Sequence, residues 1–418
     1  MNPKKIETKV IIIGAGPAGS ATSIFLSKYQ IPHIVLEKDL FPRDKICGDA
    51  CSGRTALVIE RANPEWLKEL LAGGEQHLPS WGMKIVAPNG KALAIPFTND
   101  RSKENERICF TSPRLVFDNF LFEKTTSAYC TVFQEAIIRS VERSGNKVIV
   151  RATVDNTDYE YSAPMIVGAD GDKSIVRKQF LSANELSKSY AVGLRGYYHG
   201  VAGTAPDNNL ELFFLPELMP SYLWIFPLPN GRANVGVGIA SAQLREQKIN
   251  LREQMLNAIK NNPQLAPRFV NAQLEDKIKG WGLPLALQPE QMSGHNFILT
   301  GDAAGLIDPF TGEGIGNALY SGMLAADAIK TAIDSNDYSA TYFAAKYDQV
   351  FYERLGFELK VSAKMRGMCK YPRLLNMLVN KAHKSKTFSK AMTSLFTDVE
   401  ARRQFSKPSF YLKVLLNR

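Results

Sequence analysis

Residues 9–19, KVIIIGAGPAG, place a run of β-branched residues directly before a glycine-rich turn. The run predicts a short buried strand, and residues 20–28 have the composition of a helix. Between them Gly14 would permit a tight turn, Gly16 would let the backbone approach a pyrophosphate, and Gly19 would let the helix pack closely on the strand. Unpaired N–H groups at the start of the helix would then bind the anion. The alternative is a purely structural glycine turn.

A second apolar run, His33 to Leu36, ends in the acidic residue Glu37. Glu37 follows Gly14 by 23 residues, the distance at which a carboxylate accepts hydrogen bonds from an adenosine ribose. A carboxylate in this position disfavours a 2′-phosphate, so NADP is not expected here. The first forty residues therefore predict a βαβ unit that binds a dinucleotide.

Two further glycine–aspartate motifs follow predicted strands. Residues 168–171 read GADG, and residues 301–305 read GDAAG. Asp302, at the carboxyl end of a strand, could hold a ribityl hydroxyl. A helix that begins near Gly314 would direct its positive end at a flavin, where negative charge collects on reduction. Three separate segments thus predict one flavin site.

In this order the three motifs resemble those of the class A flavoprotein monooxygenase superfamily, over roughly residues 8–330. Two more stretches resemble its geranylgeranyl reductase branch: FPRDKICGD at 41–49, and SYLWIFP at 221–227 with NVGVG at 234–238. The branch often has a second glycine after Cys-Gly, where this chain has Asp49. The resemblance implies the hydroxybenzoate-hydroxylase-like fold with FAD as cofactor.

The fold class implied is α/β with an α+β second domain. It consists of a Rossmann-like FAD-binding domain, a β-rich substrate domain and a helical C-terminus. The predicted FAD-binding domain is discontinuous and consists of residues 1–80, 107–180 and 285–335. The predicted substrate domain consists of residues 81–106 and 181–284, and the basic helical region of residues 336–418.

The resemblance also implies a set of FAD-binding residues. They are Gly14, Gly16, Ala18, Gly19, Glu37, Lys38, Arg43, Cys47, Gly48, Arg114, Asp170, Gly171, Gly301, Asp302, Pro309, Gly312, Gly314 and Ile315. Arg43 and Arg114 could instead be ordinary salt-bridging residues.

Three residues are predicted to act on the substrate: Cys47, Tyr222 and Trp224. In a strand, Tyr222, Trp224 and Phe226 point to one face and could form the wall of an apolar substrate site. The alternative is that these rings are the core of the second domain. Cys47 could be a proton donor or a substrate contact, or a small packing residue.

The function implied is reduction of carbon–carbon double bonds in a prenyl lipid, of geranylgeranyl or menaquinone type, by hydride transfer from reduced FAD. The electron donor would be NAD(P)H, bound without a Rossmann domain of its own, or ferredoxin. One alternative is an FAD-dependent aromatic monooxygenase or halogenase on the same fold. The other is a non-catalytic flavin-binding protein that docks on membranes.

The formal net charge of +10 is concentrated at one end of the chain. Residues 354–418 carry 15 Lys/Arg against 3 Asp/Glu, so the rest of the chain has no basic excess. This distribution argues against nucleic-acid binding by residues 1–353. Basic amphipathic helices here could contact an anionic membrane surface, or could form a solvated cap on the body. Short apolar runs and an N-terminus without a signal peptide predict a cytoplasmic protein, with peripheral contact to the inner membrane face left open.

The five cysteines and five histidines form no metal-binding or disulfide pattern. The odd number of scattered cysteines is typical of reduced thiols. No metal site is therefore predicted.

Overall fold

The computed structural model describes residues 3–97, 109–181, 190–204, 206–385 and 388–389. The strands are β1 Lys4–Glu7, β2 Val10–Ile13, β3 His33–Leu36, β4 Ala50–Cys51, β5 Leu78–Ser80, β6 Gly82–Val86, β7 Ala92–Pro96, β8 Cys109–Thr111, β9 Cys130–Phe133, β10 Ile137–Ser144, β11 Lys147–Val154, β12 Thr157–Ala163, β13 Met165–Gly168, β14 Tyr190–His199, β15 Leu210–Phe213, β16 Leu223–Pro227, β17 Arg232–Ala240, β18 Gln273–Leu274, β19 Lys279–Pro284, β20 Ser293–Gly294 and β21 Phe297–Leu299. The helices are α1 Pro17–Lys28, α2 Gly53–Ala62, α3 Pro64–Leu71, α4 Arg114–Glu123, α5 Ile175–Phe180, α6 Ser241–Glu246, α7 Leu251–Asn261, α8 Ile315–Ser335, α9 Ala340–Phe343, α10 Gln349–Met368 and α11 Pro372–Lys384.

A six-stranded sheet carries the glycine-rich turn. Its order is β20-β21-β13-β2-β3-β9, and all strands except β20 run parallel. Each residue of β2 and β3 is buried, as expected for parallel strands covered on both faces. Because carboxyl ends of parallel strands share one edge, the turn at Gly14, the acid Glu37 and the motifs at 168–171 and 301–305 meet there.

Helices α1 and α8 pack against each other beside this sheet. A second sheet of four strands, β1-β12-β11-β10, contacts it through β11 and β12. Buried side chains from both sheets and from α1 and α8 form one apolar core. This core fixes the edge of the six-stranded sheet on which the motifs lie.

An eight-stranded sheet is built from residues 82–96 and 190–284. Its path is β18-β14-β17-β16-β15-β6-β7, with β19 paired to β14. The turn at Asn89–Gly90, a dipeptide that favours β-hairpins, joins the antiparallel strands β6 and β7. Strand β16, which contains Trp224, lies between β15 and β17. The predicted α/β class with a β-rich second part is confirmed.

Several local predictions differ from the structure. The apolar spacing of residues 114–127 predicts a helix, but α4 ends at Glu123, and the helices α2 and α3 are not predicted from the sequence. The predicted helical C-terminus is present as α9–α11, with a π-helical turn, Ala344–Asp348, between α9 and α10. Residues 390–418, also predicted to be helical, lie outside the described residues. Within the described ranges, every helix is too short or too polar to cross a membrane.

Candidate active site

A cavity of about 880 Å³ lies where the motif edge of the six-stranded sheet faces the eight-stranded sheet. It brings together segments from the whole length of the chain. The predicted site residues that line it are Gly14, Gly16, Ala18, Glu37, Lys38, Arg43, Cys47, Gly48, Arg114, Asp170, Gly171, Tyr222, Trp224, Asp302, Pro309, Gly312, Gly314 and Ile315.

The glycines of the first turn meet different steric requirements. Gly14 has φ +96°, and a Cβ there would lie 2.5 Å from the carbonyl oxygen of Ala169. A Cβ at Gly19 would lie 1.9 Å from the carbonyl oxygen of Gly14. At Gly16 the nearest atom to a Cβ would be Nη2 of Arg43, at 3.5 Å. Gly14 and Gly19 are therefore required by the fold itself, whereas Gly16 leaves open space at the cavity.

The start of α1 is suited to an anion. The helix has no side-chain cap and no acidic residue in its first turn, so its N–H groups face the cavity beside Gly16. The guanidinium of Arg43 lies opposite. This arrangement of backbone donors, open space and a cation fits the pyrophosphate of a dinucleotide.

Glu37 is buried beneath the same turn. Its carboxylate accepts hydrogen bonds from the backbone N–H of Ala15 at 2.6 Å and of Asp39 at 3.0 Å. Each carboxylate oxygen has further acceptor capacity, and Glu37 lines the cavity. The position fits the ribose contact that the sequence predicts.

Asp118, which was not predicted as a site residue, holds both predicted arginines. Its carboxylate accepts hydrogen bonds from Arg114 Nε at 2.6 Å and Nη2 at 2.8 Å, and from Arg43 Nη1 at 2.6 Å. Burial alone would raise the pKa of Asp118, but the two guanidinium groups outweigh it and the pKa is lowered. Arg114 also interacts with the thiol of Cys47. Asp118 thus fixes one cation at the glycine turn and another beside Cys47.

Gly19 and Gly301 are the two predicted cofactor-binding residues that do not line the cavity. Gly301 has φ +57°, and a Cβ there would lie 3.1 Å from the methyl groups of Ala18 and Ala318. Like Gly19, it permits close packing behind the site. Each of these two glycine motifs therefore contains residues that line the cavity and a glycine that permits close packing behind it.

Asp302 forms an ion pair with Lys45, with Oδ2 and Nζ 3.0 Å apart. Lys45 belongs to the 41–49 segment, and it lines the cavity without having been predicted as a site residue. The Asp302 carboxylate is thus oriented by a cation from the loop that also contains Cys47.

Helix α8 begins at Ile315, close to the predicted start at Gly314, and an acidic residue lies directly before it. Glu313 Oε1 accepts a hydrogen bond from the backbone N–H of Gly316 at 2.5 Å and another from the Ser52 hydroxyl at 3.2 Å. Burial raises the pKa of this carboxyl. Because an acidic side chain occupies one N–H of the first turn, the positive helix end is only partly directed at the cavity.

The predicted aromatic residues line the opposite end. The ring centroids of Tyr222 and Trp224 are 6.4 Å apart, and those of Trp224 and Phe226 are 6.2 Å apart. Trp224 and Phe226 share one face of β16, Tyr222 lies just before the strand, and all three rings contact a buried apolar cluster. The three rings therefore form part of the cavity wall and part of the apolar core, the two roles between which the sequence does not decide.

Strand β17 explains the NVGVG segment. Gly236 pairs with Trp224 in the sheet, and a Cβ at Gly236 would lie 2.2 Å from Cζ2 of the indole. Asn234 accepts a hydrogen bond from the indole Nε1 at 2.9 Å. One residue makes room for the ring and the other fixes its orientation.

Asn234 also binds the loop that contains Cys47. Its Nδ2 donates to the Cys47 carbonyl at 2.7 Å and to the Asp49 carboxylate at 2.8 Å. Asp49 is fully buried and has φ +67°, a conformation that favours glycine. Burial raises the pKa of Asp49 to about 6. Sequence reasoning noted Asp49 only as a departure, although an acid in a glycine position is itself a signal of a specific hydrogen bond.

The turn, Glu37 and Arg43 suit the adenosine diphosphate half of a dinucleotide such as FAD. A family described as "FAD binding domain" matches residues 7–334. Digeranylgeranylglycerophospholipid reductase of Thermoplasma volcanium is 30% identical over 359 residues, 84% of each chain. Menaquinone reductase of Mycobacterium tuberculosis is 27% identical over 386 residues, 88% of this chain and 85% of that one.

Solved structures extend the likeness to the fold. A geranylgeranyl bacteriochlorophyll reductase-like protein from Thermoplasma acidophilum has a TM-score of 0.79 at 22% identity. The match covers 96% of this chain and 99% of that one. The fold of the described residues, including both large sheets, is therefore shared with a solved structure.

Proposed function

The chain belongs to the FAD-binding oxidoreductase family that includes the geranylgeranyl reductases, and we propose that it reduces carbon–carbon double bonds in the isoprenoid chain of a prenyl lipid. FAD is its cofactor. The observation that carries the substrate proposal is the aromatic wall, with Trp224 held against Gly236, in the same cavity as the glycine turn. An elongated apolar chain could lie along this wall and reach the flavin.

We propose that the cavity residues hold FAD in three groups. Gly14, Gly16 and Ala18 with Arg43 would bind the pyrophosphate, and Glu37 with Lys38 the adenosine ribose. The remaining residues would surround the ribityl chain and the flavin: Cys47, Gly48, Arg114, Asp170, Gly171, Asp302, Pro309, Gly312, Gly314 and Ile315. Gly19 and Gly301 would support this set by close packing.

When bound and reduced, FAD would supply the hydride for one carbon of the double bond. The other carbon must then receive a proton. We assign Cys47 as the proton donor or as a substrate contact, because its thiol lies in the cavity beside Arg114. Protonation at one carbon and hydride addition at the other together give the saturated bond.

Tyr222 and Trp224 would position the substrate. Their polar hydrogens are already donated, from the Tyr222 hydroxyl to the Thr311 carbonyl and from the indole to Asn234. Their rings remain as apolar surface. Orientation by such fixed surfaces is the main contribution that a protein adds to cofactor chemistry.

We also propose the division into the three predicted parts, with residues 81–106 and 181–284 as the substrate domain. The reductant would be NAD(P)H or ferredoxin. The basic helices α10 and α11 would contact an anionic membrane surface, since a prenyl lipid resides there. Association with anionic liposomes that weakens as salt is raised would support this contact, and salt-independent association would contradict it.

The central test is anaerobic. The bound flavin is reduced with dithionite, prenyl lipids are added, and the flavin absorbance near ~450 nm is followed. We expect reoxidation by a prenyl lipid without oxygen. In Trp224→Ala this rate should fall by at least about tenfold while FAD content is unchanged. Trp66→Ala, a partly buried tryptophan outside the cavity, is the control and should keep the wild-type rate.

The same experiment separates the alternatives. If reduced flavin waits for oxygen and small aromatic compounds then alter the reaction, the protein is a hydroxylase or halogenase. If no added compound changes reoxidation, a non-catalytic flavin protein is supported.

A further inference from the structure

Arg366 is a cation in the wall of the cavity. It lies in the last turn of α10, and its side chain is partly buried. The neighbouring Met365 packs into the same apolar cluster as Tyr222, Trp224 and Phe310. Arg366 therefore belongs to the aromatic end of the cavity.

Arg366 differs from the other arginines that line the cavity in having no acidic partner. Arg43 pairs with Asp118, Lys45 with Asp302 and Arg195 with Asp44. Among the residues that the structure describes, Arg366 has no hydrogen bond or ion pair. Burial lowers the pKa of its guanidinium, and no carboxylate opposes this. A partly desolvated guanidinium without a partner is a binding position for an anion.

The residues around Arg366 in sequence are also basic, which favours an anionic ligand. Residues 359–385 contain seven Lys/Arg and no Asp/Glu. Lys364 on α10 and Lys370 just after its end are exposed. An anionic ligand would be attracted to this end of the cavity before it reached Arg366.

We propose that Arg366 binds the anionic phosphate head group of the prenyl lipid while the isoprenoid chain lies along Tyr222, Trp224 and Phe310. This proposal rests on the proposed function and narrows its substrate class. The substrates would be prenyl chains that carry a phosphate ester or diphosphate, in preference to prenyl alcohols and neutral prenylquinones.

A simpler role for Arg366 is to stabilise the C-terminal end of α10 through the helix dipole. That role would affect thermal stability only. It would not distinguish a charged prenyl ligand from a neutral one, so ligand selectivity is the decisive readout.

The test measures binding by calorimetry to the FAD-loaded protein, with geranylgeranyl diphosphate, geranylgeraniol and inorganic pyrophosphate as probes. We expect the wild type to bind the diphosphate at least about tenfold more tightly than the alcohol, the range of a charge-assisted hydrogen bond. Arg366→Ala should remove this preference and leave geranylgeraniol binding within about twofold. Arg366→Lys should retain part of it.

Lys364→Ala is the matched control, because it removes one cation from the exposed side of the same helix. It should change neither affinity by more than about twofold. If Lys364→Ala and Arg366→Ala act alike, general charge attraction explains the preference and the proposal is wrong. Equal wild-type affinity for diphosphate and alcohol also overturns it.

The remaining outcomes separate a lipid head group from a free anion. If pyrophosphate alone binds as tightly as the prenyl diphosphate, the site is for a free anion and the proposal is overturned. Anaerobic flavin reoxidation by subsaturating geranylgeranyl diphosphate, unchanged in Arg366→Ala, would preserve the reductase function while rejecting the head-group site. No reoxidation by any prenyl lipid would reject the reductase function, and the binding preference would be judged separately.

Discussion

The two ends of the cavity are built in different ways. The glycine end consists of the first turn with Glu37, and its defining hydrogen bond joins Ala15 to Glu37 across 22 residues. The aromatic end consists of β16 and the residues that pack on it. There Asn234 binds the Cys47 carbonyl across 187 residues, and Arg366 enters from a helix near the end of the described chain.

This difference determines whether the geometry of each end follows from local sequence or from tertiary contacts. At the glycine end the spacing along the chain alone determines the geometry, because strand, turn and helix are consecutive. At the aromatic end the wall depends on contacts between residues far apart in the sequence, such as that of Asn234 with the Cys47 carbonyl. The general chemistry of cofactor binding is therefore local, whereas the selectivity for substrate depends on tertiary contacts.

Asp118→Asn should have the largest effect, because Asp118 connects the two ends. Its fully buried carboxylate binds Arg43 at the glycine end and Arg114 beside Cys47. Removing the charge leaves the buried guanidinium of Arg114 without a carboxylate partner, which typically costs about 3–5 kcal/mol. Urea unfolding should show this loss, together with reduced FAD content.

Asp39→Asn is the control for Asp118→Asn. Asp39 also faces Arg43, with Oδ2 3.8 Å from Nε, but its side chain is 44% exposed. Its removal should cost less than about 1 kcal/mol. Similar losses in the two variants would contradict the connecting role of Asp118.

Asp49→Asn tests whether the aromatic end contains a buried titrating group. The folded-state pKa of about 6 lies above the ordinary aspartate pKa of 3.8. The native state thus retains a proton that the unfolded state releases, and the stability contributed by Asp49 is present below pH ~4 and lost as pH rises through ~6. The shift corresponds to about 3 kcal/mol at most.

In urea unfolding from pH 4 to 8, the wild type should therefore lose stability relative to Asp49→Asn as pH rises. Glu75→Gln, at an exposed carboxylate, should run parallel to the wild type. If the Asp49→Asn curve is also parallel, this carboxyl does not titrate in the range.

The glycine end and the general fold could be predicted from sequence for the reason given above. The βαβ unit, the hairpin at Asn89–Gly90 and helix α8 follow from local patterns. Asp118 and Arg366 could not be assigned, since an acid or arginine on a helix is ordinarily a solvated residue. Only the tertiary structure shows that one is buried between two cations and the other lines a cavity.

Gly19→Ala and Gly16→Ala separate folding from cofactor binding at the glycine end. A methyl group at Gly19 would collide with the Gly14 carbonyl at 1.9 Å, whereas at Gly16 its nearest contact is 3.5 Å. Gly19→Ala should destabilise the protein by about 1–3 kcal/mol. Gly16→Ala should leave the stability of FAD-free protein unchanged and raise the Kd for FAD. Equal destabilisation by both would mean that Gly16 also has a packing role.

Tyr222→Phe should have the smallest effect and tests how the aromatic end is joined to the 309–312 loop. The Tyr222 hydroxyl donates to the Thr311 carbonyl and lies 3.3 Å from a Cβ position at Gly312. Loss of this hydrogen bond should cost about 1 kcal/mol. Because the ring remains, the anaerobic reoxidation rate with a prenyl lipid should fall less than in Trp224→Ala, and FAD content should be unchanged. A loss of rate as large as that of Trp224→Ala would make the hydroxyl itself part of the chemistry, and the aromatic end would then be more than an apolar wall.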